Sequence, residues 1–94
     1  MSVSYPNTEL FINGKWRAAI SNDWLDVINP ATEESVGKVA VAQISDLDEA
    51  LDAANAASKL WRNTPPFARY KIMRRAADLL RERADSVAKI MTIE

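Results

Sequence analysis

The chain has 94 residues, a mass of 10.5 kDa and a formal net charge of −1, which suits one small domain and excludes two ordinary ones. It contains no cysteine and no histidine, so these residues provide no disulfide, no thiolate ligand, no cysteine nucleophile and no histidine base. Twelve Lys and Arg against thirteen Asp and Glu also give no overall field that would attract nucleic acid or an anionic membrane.

The chain carries no segment typical of membranes or secretion. No apolar run approaches the ~18 residues that a membrane-spanning helix requires. Residues 1–6 lack the basic and apolar regions of a secretory signal, so a cytoplasmic location is expected by default. Charge is uneven, because residues 1–60 carry four basic and nine acidic groups whereas residues 61–94 carry eight and four. We expect these two parts to attract each other.

A tight β-hairpin is predicted after an extended arm over residues 1–8. The dipeptide Asn13-Gly14 separates two short apolar-containing runs within residues 10–17. Both residues accept the positive φ values of a type I′ turn, whose twist matches that of paired strands. Residues 9–42 therefore begin with two antiparallel strands.

Two further strands are predicted before residue 42. Residues 24–28 alternate and end at Asn29-Pro30, because proline lacks an N–H donor and biases the residue before it away from helix. Residues 35–41 form the next strand after a polar turn. The alternation there is interrupted, and the candidate inward residues are Val36, Val39 and Val41.

Residues 45–62 predict a helix. The Ser45 hydroxyl can cap an orphan N–H, and the nearby carboxylates favour the positive end of the helix dipole. Its apolar stripe is flanked by alanines, which permit close approach of another backbone, and comprises Leu47, Leu51, Ala54 and Trp61.

A second helical region is predicted over residues 65–94, with Thr64 as its N-cap and Pro65 at the first helical position. One straight helix of this length would measure roughly 40 Å, which is too long for so small a domain to cover. We therefore expect a break near residues 83–85, with Asp85 available to cap a shorter third helix. The apolar face comprises Phe67, Tyr70, Met73, Ala76, Ala77, Leu80, Ala84, Val87 and Met91.

These elements predict an α/β fold in which a β-hairpin plus two antiparallel strands precede an αα-hairpin with a broken second arm. The helical pattern still continues at Glu94, with no glycine, proline or other stop signal. We expect residues 1–94 to be a single incomplete segment, the start of a larger cofactor-binding domain.

From Leu10 onward the order of features resembles the N-terminal segment of the aldehyde dehydrogenase superfamily. Each matching segment alone is weak evidence for the family, but the order and spacing of the segments are specific. The segments are residues 11–16, 27–33, 45–50, Trp61 and 69–85. The amino-acid sequence of residues 81–85 and 88–94 is most similar to that of bacterial semialdehyde dehydrogenases acting on succinate semialdehyde or a close relative.

The resemblance implies NAD(P)-dependent oxidation of a small-molecule aldehyde to a carboxylate by a larger, homo-oligomeric protein. In the family a cysteine thiolate attacks the aldehyde and a glutamate activates the hydrolytic water. These groups, with the cofactor-binding lysine and glycines, match positions beyond Glu94. We expect no catalytic or cofactor-binding residue in this chain, no NAD or NADP bound to it alone, and no activity. The resemblance also makes the backbone carbonyl of Ile28 a ligand of a structural monovalent cation.

Simpler interpretations exist for several of these features. Turn chemistry alone explains Asn29-Pro30 as a strand terminator. Aromatic residues are more often core than ligand platforms, so we assign Trp61 to the core and interpret Trp16 and Trp24 as semi-buried packing groups. The basic residues of 69–81 are interspersed with Asp78 and Glu82, a spacing typical of a solvated, internally paired helix face.

Two other functions stay open at this point. One is a stand-alone interaction module without enzymatic activity, in which the alanine-rich helical hairpin presents a groove to a partner helix. The other is a nucleic-acid binder that uses the basic residues of 61–94, although the net charge opposes it and no recognised motif accompanies it. We expect neither nucleic acid nor membrane among the partners.

Overall fold

A computed structural model describes residues 5–94, which form four strands followed by three helices. The strands are β1 (Leu10–Ile12), β2 (Lys15–Arg17), β3 (Trp24–Ile28) and β4 (Ser35–Ala40). The helices are α1 (Ile44–Arg62), α2 (Pro66–Glu82) and α3 (Ala84–Ile93). The predicted fold class and the broken second helical arm are confirmed, whereas the first half of the predicted arm lies outside the described residues.

The first hairpin has the turn that its sequence predicts. Strands β1 and β2 pair antiparallel, and Ile12 lies opposite Lys15 across the turn. Asn13 and Gly14 have φ values of 53° and 76°, as a type I′ turn requires. A side chain on Gly14 would meet nothing within 4 Å, so glycine is favoured here by its backbone conformation and not by crowding.

The second sheet pairs β3 with β4 and contains a bulge. Val27 lies opposite Gly37 and Ile28 opposite Ser35, so Val36 is the extra residue. An extra residue interrupts the side-chain alternation of a strand, which explains the irregular pattern in this sequence. The three candidate valines are half-buried, and the buried residue of β4 is Ala40.

The chain before β1 lies along the free edge of β4. The Thr8 N–H donates to the Lys38 carbonyl at 2.8 Å, and the Ala40 N–H donates to the Thr8 carbonyl at 2.8 Å. Thr8 and Val39 thereby form a parallel bridge. This contact covers donors and acceptors that an open edge strand would expose.

The predicted cap of α1 is wrong by two residues. The helix begins at Ile44, so Gln43 takes the N-cap position and Ser45 lies within the first turn. The Asp46 carboxylate accepts from the Gln43 N–H at 2.9 Å. The Asp46 carboxylate, in the first turn of the helix, therefore provides the capping hydrogen bond that the sequence predicts for the Ser45 hydroxyl.

The predicted caps of α2 and α3 are also corrected. Pro66, not Pro65, takes the first position of α2, because Pro65 has an extended backbone with ψ 145°. Thr64 instead closes α1, since its Oγ1 donates to the Leu60 carbonyl at 2.8 Å. The break between α2 and α3 lies at Arg83, and Asp85 occupies the first turn of α3 without a side-chain cap bond.

The helices bury little of their apolar surface within this chain. In residues 5–94 the buried positions are Ala19, Ala40 and Asp46. Trp61 is 40% exposed and Trp16 is 63% exposed, so their predicted core and semi-buried placements are wrong, whereas Trp24 is half-buried as predicted. The radius of gyration, 16.8 Å, exceeds the about 12 Å of a compact domain of this length, so no interior forms around these side chains.

No helix within residues 5–94 is both long and apolar enough to cross a bilayer.

Candidate functional site

The most completely bonded group in the described residues is the carboxylate of Asp46, which is 1% exposed. It accepts from Arg17 Nη1 at 2.8 Å and from the Gln43 N–H at 2.9 Å. The Ile20 N–H points at both of its oxygens, at 3.3 Å each. One side chain therefore joins the end of β2, the loop that follows it and the start of α1.

Arg17 extends this cluster to a second acid. Its Nη2 donates to Glu49 Oε2 at 2.7 Å, while Nη1 also donates to the Ala18 carbonyl at 2.9 Å. Asp46 and Glu49 are three residues apart, so both lie on the same face of α1. We call this cluster the Arg17–Asp46 junction; its members are Arg17, Ile20, Gln43, Asp46 and Glu49.

The junction holds fixed charges. The hydrogen bond from the Gln43 N–H is the largest cause of the lowered pKa of Asp46, and the hydrogen bond from the Arg17 guanidinium is the second. Each effect is larger than that of burial, which raises the pKa. The hydrogen bond to Asp46 raises the pKa of Arg17 in turn. Both groups stay ionised near neutral pH, so the cluster binds and orients backbone and does not transfer protons.

The turn after β3 contains Ile28, the one position that sequence reasoning gave to a cation. Ile28 is 47% exposed at the strand end. The neighbouring polar groups are taken by the turn itself, since Asn29 Oδ1 accepts from the Ala31 N–H at 2.9 Å and the Asn29 carbonyl accepts from the Glu33 N–H at 2.7 Å. Within residues 5–94, no group of three or more acidic side chains is placed to hold a metal ion. The role of the Ile28 carbonyl as a cation ligand therefore stays a prediction.

An open groove of about 360 Å³ lies between the tip of the first hairpin and α1. Its floor is the alanine-rich side of the helix, and its lining residues are Phe11, Asn13, Gly14, Ala50, Ala53, Ala54 and Ala57. The lining lacks ionisable groups, so the groove can accept an apolar side chain but offers no acid, base or nucleophile.

The basic face of α2 is internally paired, as its spacing predicts. Asp78 Oδ1 lies 3.5 Å from both Arg74 Nε and Arg81 Nη1, and Arg75 Nη1 lies 3.6 Å from Glu82 Oε1. The expected attraction between residues 1–60 and 61–94 produces no ion pair among residues 5–94. The ion pairs instead form within each part, since Arg17 pairs with Asp46 and Glu49 in residues 1–60, and the remaining pairs lie along α2.

The family model described as "Aldehyde dehydrogenase family" matches residues 16–94. The chain belongs to the aldehyde dehydrogenase family. The match begins in β2 and includes the whole Arg17–Asp46 junction and all three helices. The resemblance on which the sequence prediction depends is thereby confirmed.

Two curated members of the aldehyde dehydrogenase family illustrate the relationship. The mitochondrial, acylating methylmalonate-semialdehyde/malonate-semialdehyde dehydrogenase of Homo sapiens is 34% identical over 93 residues, which are 99% of this chain and 17% of the relative. Succinate-semialdehyde dehydrogenase [NADP(+)] 2 of Schizosaccharomyces pombe is 35% identical over 88 residues, which are 94% of this chain and 18% of the relative. The chain thus spans less than a fifth of these enzymes.

A solved structure shares the arrangement of the elements. It is a crystal structure of a protein from Sinorhizobium meliloti 1021, described as a methylmalonate-semialdehyde dehydrogenase complexed with NAD. The superposition covers 100% of this chain and 19% of that one, with a TM-score of 0.87 and 33% identity. The strands and helices described above are therefore those of a segment of an aldehyde dehydrogenase.

Sequence reasoning missed the junction, although two of its signals are visible. Asp46 and Glu49 have the spacing of neighbours on one helix face, and Arg17 ends a predicted strand. The acids were explained by the helix dipole alone. Nothing local pairs Arg17 with a helix that begins 27 residues later, since that contact depends on how the intervening sheet folds back.

Proposed function

We propose that this chain is the N-terminal architectural segment of an NAD(P)-dependent aldehyde dehydrogenase that oxidises a small semialdehyde to its carboxylate. The observation that carries the proposal is the whole-length structural match to one fifth of an NAD-complexed family member. The semialdehyde class is supported by the names of the human and fission-yeast relatives. A stand-alone interaction module is not favoured, because the same elements occur within these longer enzymes.

Within such an enzyme the segment provides surfaces and not chemistry. It has no cysteine or histidine, and its two glycines lie in the β1–β2 turn and in β4, where neither forms a phosphate-binding loop. The residues present therefore do not fit a dinucleotide, and we assign no step that involves the cofactor to this chain. In the complete enzyme, residues outside this chain would hold NAD(P), which would supply the hydride-accepting chemistry of the oxidation.

The exposed apolar faces of α1 and α2 are the surfaces that we assign to packing against the remainder of the cofactor domain. Their large side chains are more than half exposed here, including Leu47, Leu51, Leu60, Phe67, Tyr70, Met73 and Leu80. Apolar surface on this scale is seldom left in water, because each such side chain gains about 1.5–3 kcal/mol when it is buried.

The proposal retains three further expectations for the complete enzyme. The Ile28 carbonyl serves as one ligand of a structural monovalent cation, whose other ligands come from outside this chain. The enzyme is a homo-oligomer. It is located in the cytoplasm.

The first test is the intact mass of the protein in its source, together with the reading frame beyond Glu94. We expect a mass several times 10.5 kDa and a downstream cysteine nucleophile. A natural product of 10.5 kDa that ends at Glu94 would contradict the proposal.

The second test is activity. The purified 94-residue chain should form no NADH or NADPH from succinate semialdehyde or methylmalonate semialdehyde, with or without a thiol as acyl acceptor, while the longer protein should do so under one of these conditions. Absorbance at 340 nm measures both, and boiled protein gives the blank. Turnover by the short chain would overturn the architectural role, and a longer protein inactive with both substrates would overturn the substrate class.

A further inference from the structure

Within the described residues, one side-chain hydrogen bond joins the strands to the last helix. We define the strand region as residues 5–43 and the helical arm as residues 66–94. Within residues 5–94, the hydrogen bond from the Tyr5 hydroxyl to Glu94 Oε1, at 2.9 Å, is the one hydrogen bond or ion pair that links these two parts. Its partners are 89 residues apart in sequence.

The Tyr5 ring packs against β4 at Gly37, which we call its seat. A Cβ built on Gly37 would lie 2.5 Å from Tyr5 Cδ1 and 3.1 Å from Cε1, closer than a side chain tolerates. Glycine at this strand position therefore lets the ring lie against the backbone. Gly37 has an ordinary negative φ, so close approach and not backbone conformation accounts for the glycine.

The residues after Tyr5 are fastened to the same strand. Asn7 Oδ1 accepts from the Lys38 N–H at 3.1 Å, and Thr8 exchanges two backbone hydrogen bonds with β4. The segment 5–8 is thus held at one end by backbone pairing and at the other by the Tyr5 ring and hydroxyl. Residues 5–8 therefore connect β4 to the end of α3.

We propose that residues 5–8 form a strap that holds the C-terminal end of α3 to the β3–β4 sheet, with Gly37 as its seat and the Tyr5–Glu94 hydrogen bond as its fastening. The strap limits how far the helical arm turns relative to the strand region. This role does not depend on the proposed function, since it concerns contacts made entirely within this chain.

Paired spin labels test the strap directly. Because the chain has no cysteine, Asp26→Cys in β3 and Lys89→Cys in α3 introduce the two label sites. Both side chains are exposed and neither takes part in the strap. Pulsed electron paramagnetic resonance of the longer protein, with any cysteine beyond Glu94 replaced by serine, gives the distribution of distances between them.

Tyr5→Phe and Glu94→Ala should each broaden this distribution, since each removes the fastening. Hydrogen exchange of the α3 amides should also become roughly two- to tenfold faster, which corresponds to the loss of one hydrogen bond. Gly37→Ala should act similarly by displacing the ring from its seat. Glu94→Gln keeps an acceptor oxygen and should preserve the narrow distribution.

Tyr70→Phe is the matched control, because its hydroxyl makes no hydrogen bond within residues 5–94. It should leave both measurements unchanged. Unchanged distances and exchange in Tyr5→Phe and Glu94→Ala would overturn the strap. Equal broadening by Tyr70→Phe would overturn it as well, since the effect would then not be specific to Tyr5.

Discussion

The strand region and the helical arm are stabilised in different ways. The strand region is held together by backbone pairing, and the buried carboxylate of Asp46 joins it to the start of α1 through bonds to Arg17 and Gln43. The helical arm has regular helices but no buried residue, and its ion pairs lie on its own exposed surface. The helical arm has the more regular apolar periodicity of the two, yet it buries less, so a regular apolar stripe predicts which face will be buried but does not identify what covers it.

Removal of the Asp46 charge should have the largest effect, and that effect should be confined to the strand region and the first turn of α1. Asp46→Asn leaves the Arg17 guanidinium without its buried partner and weakens the cap of α1. We expect the amides of β2 and the first turn of α1 to exchange with solvent roughly ten- to a hundredfold faster. Hydrogen exchange followed by mass spectrometry measures these amide exchange rates.

Asp48→Asn is the control for that substitution, since it makes the same chemical change on the same helix at an exposed residue. It should alter exchange little. An equal effect of both substitutions would mean that overall charge on α1, and not the junction, stabilises this region. A change in α2 exchange as large as that in β2 would remove the distinction between the two parts.

Acid should weaken the Arg17–Asp46 junction before it affects the helical arm. The folded pKa of Asp46 is lowered, so its contribution to stability is complete above the unfolded pKa of about 3.9 and is lost as the pH falls through the folded value. We expect protection of the α1 amides to be level above about pH 5 and to decline below about pH 4. In Asp46→Asn this decline should be much shallower; an identical acid profile would show that other carboxylates cause it.

The smallest effect on folding should come from the helical arm. Leu80 is 60% exposed, so Leu80→Lys should change the free energy of unfolding by no more than about 0.5 kcal/mol, while lowering self-association and dye binding. Circular dichroism melting and sedimentation velocity measure the two effects. Ala40→Lys, at a buried position, is the contrast and should be strongly destabilising. Equally strong destabilisation by Leu80→Lys would mean that the α2 face packs internally.

The parts predictable from sequence are those decided by neighbouring residues. Asn13-Gly14 specifies its own turn, and Asn29-Pro30 ends β3 where expected. The caps were wrong where two adjacent residues compete, as Pro65 and Pro66 do, or where a more distant acid takes the role, as Asp46 does for Ser45. The exposure of Trp61 was not predictable, because helical spacing places a residue on a face without naming what covers that face.

The junction also has a consequence for how the protein is made. The Asp46 carboxylate bonds to Ile20 and Arg17, which lie 26 and 29 residues earlier in the chain, and Arg17 in turn bonds to Glu49. No member of the junction lies after Glu49. All of these contacts are available once α1 has begun to leave the ribosome, before α2 and α3 have been synthesised. Since chains generally fold from the N-terminus during translation, the strand region can be the first part to assemble, giving the later helices a fixed base on which to grow.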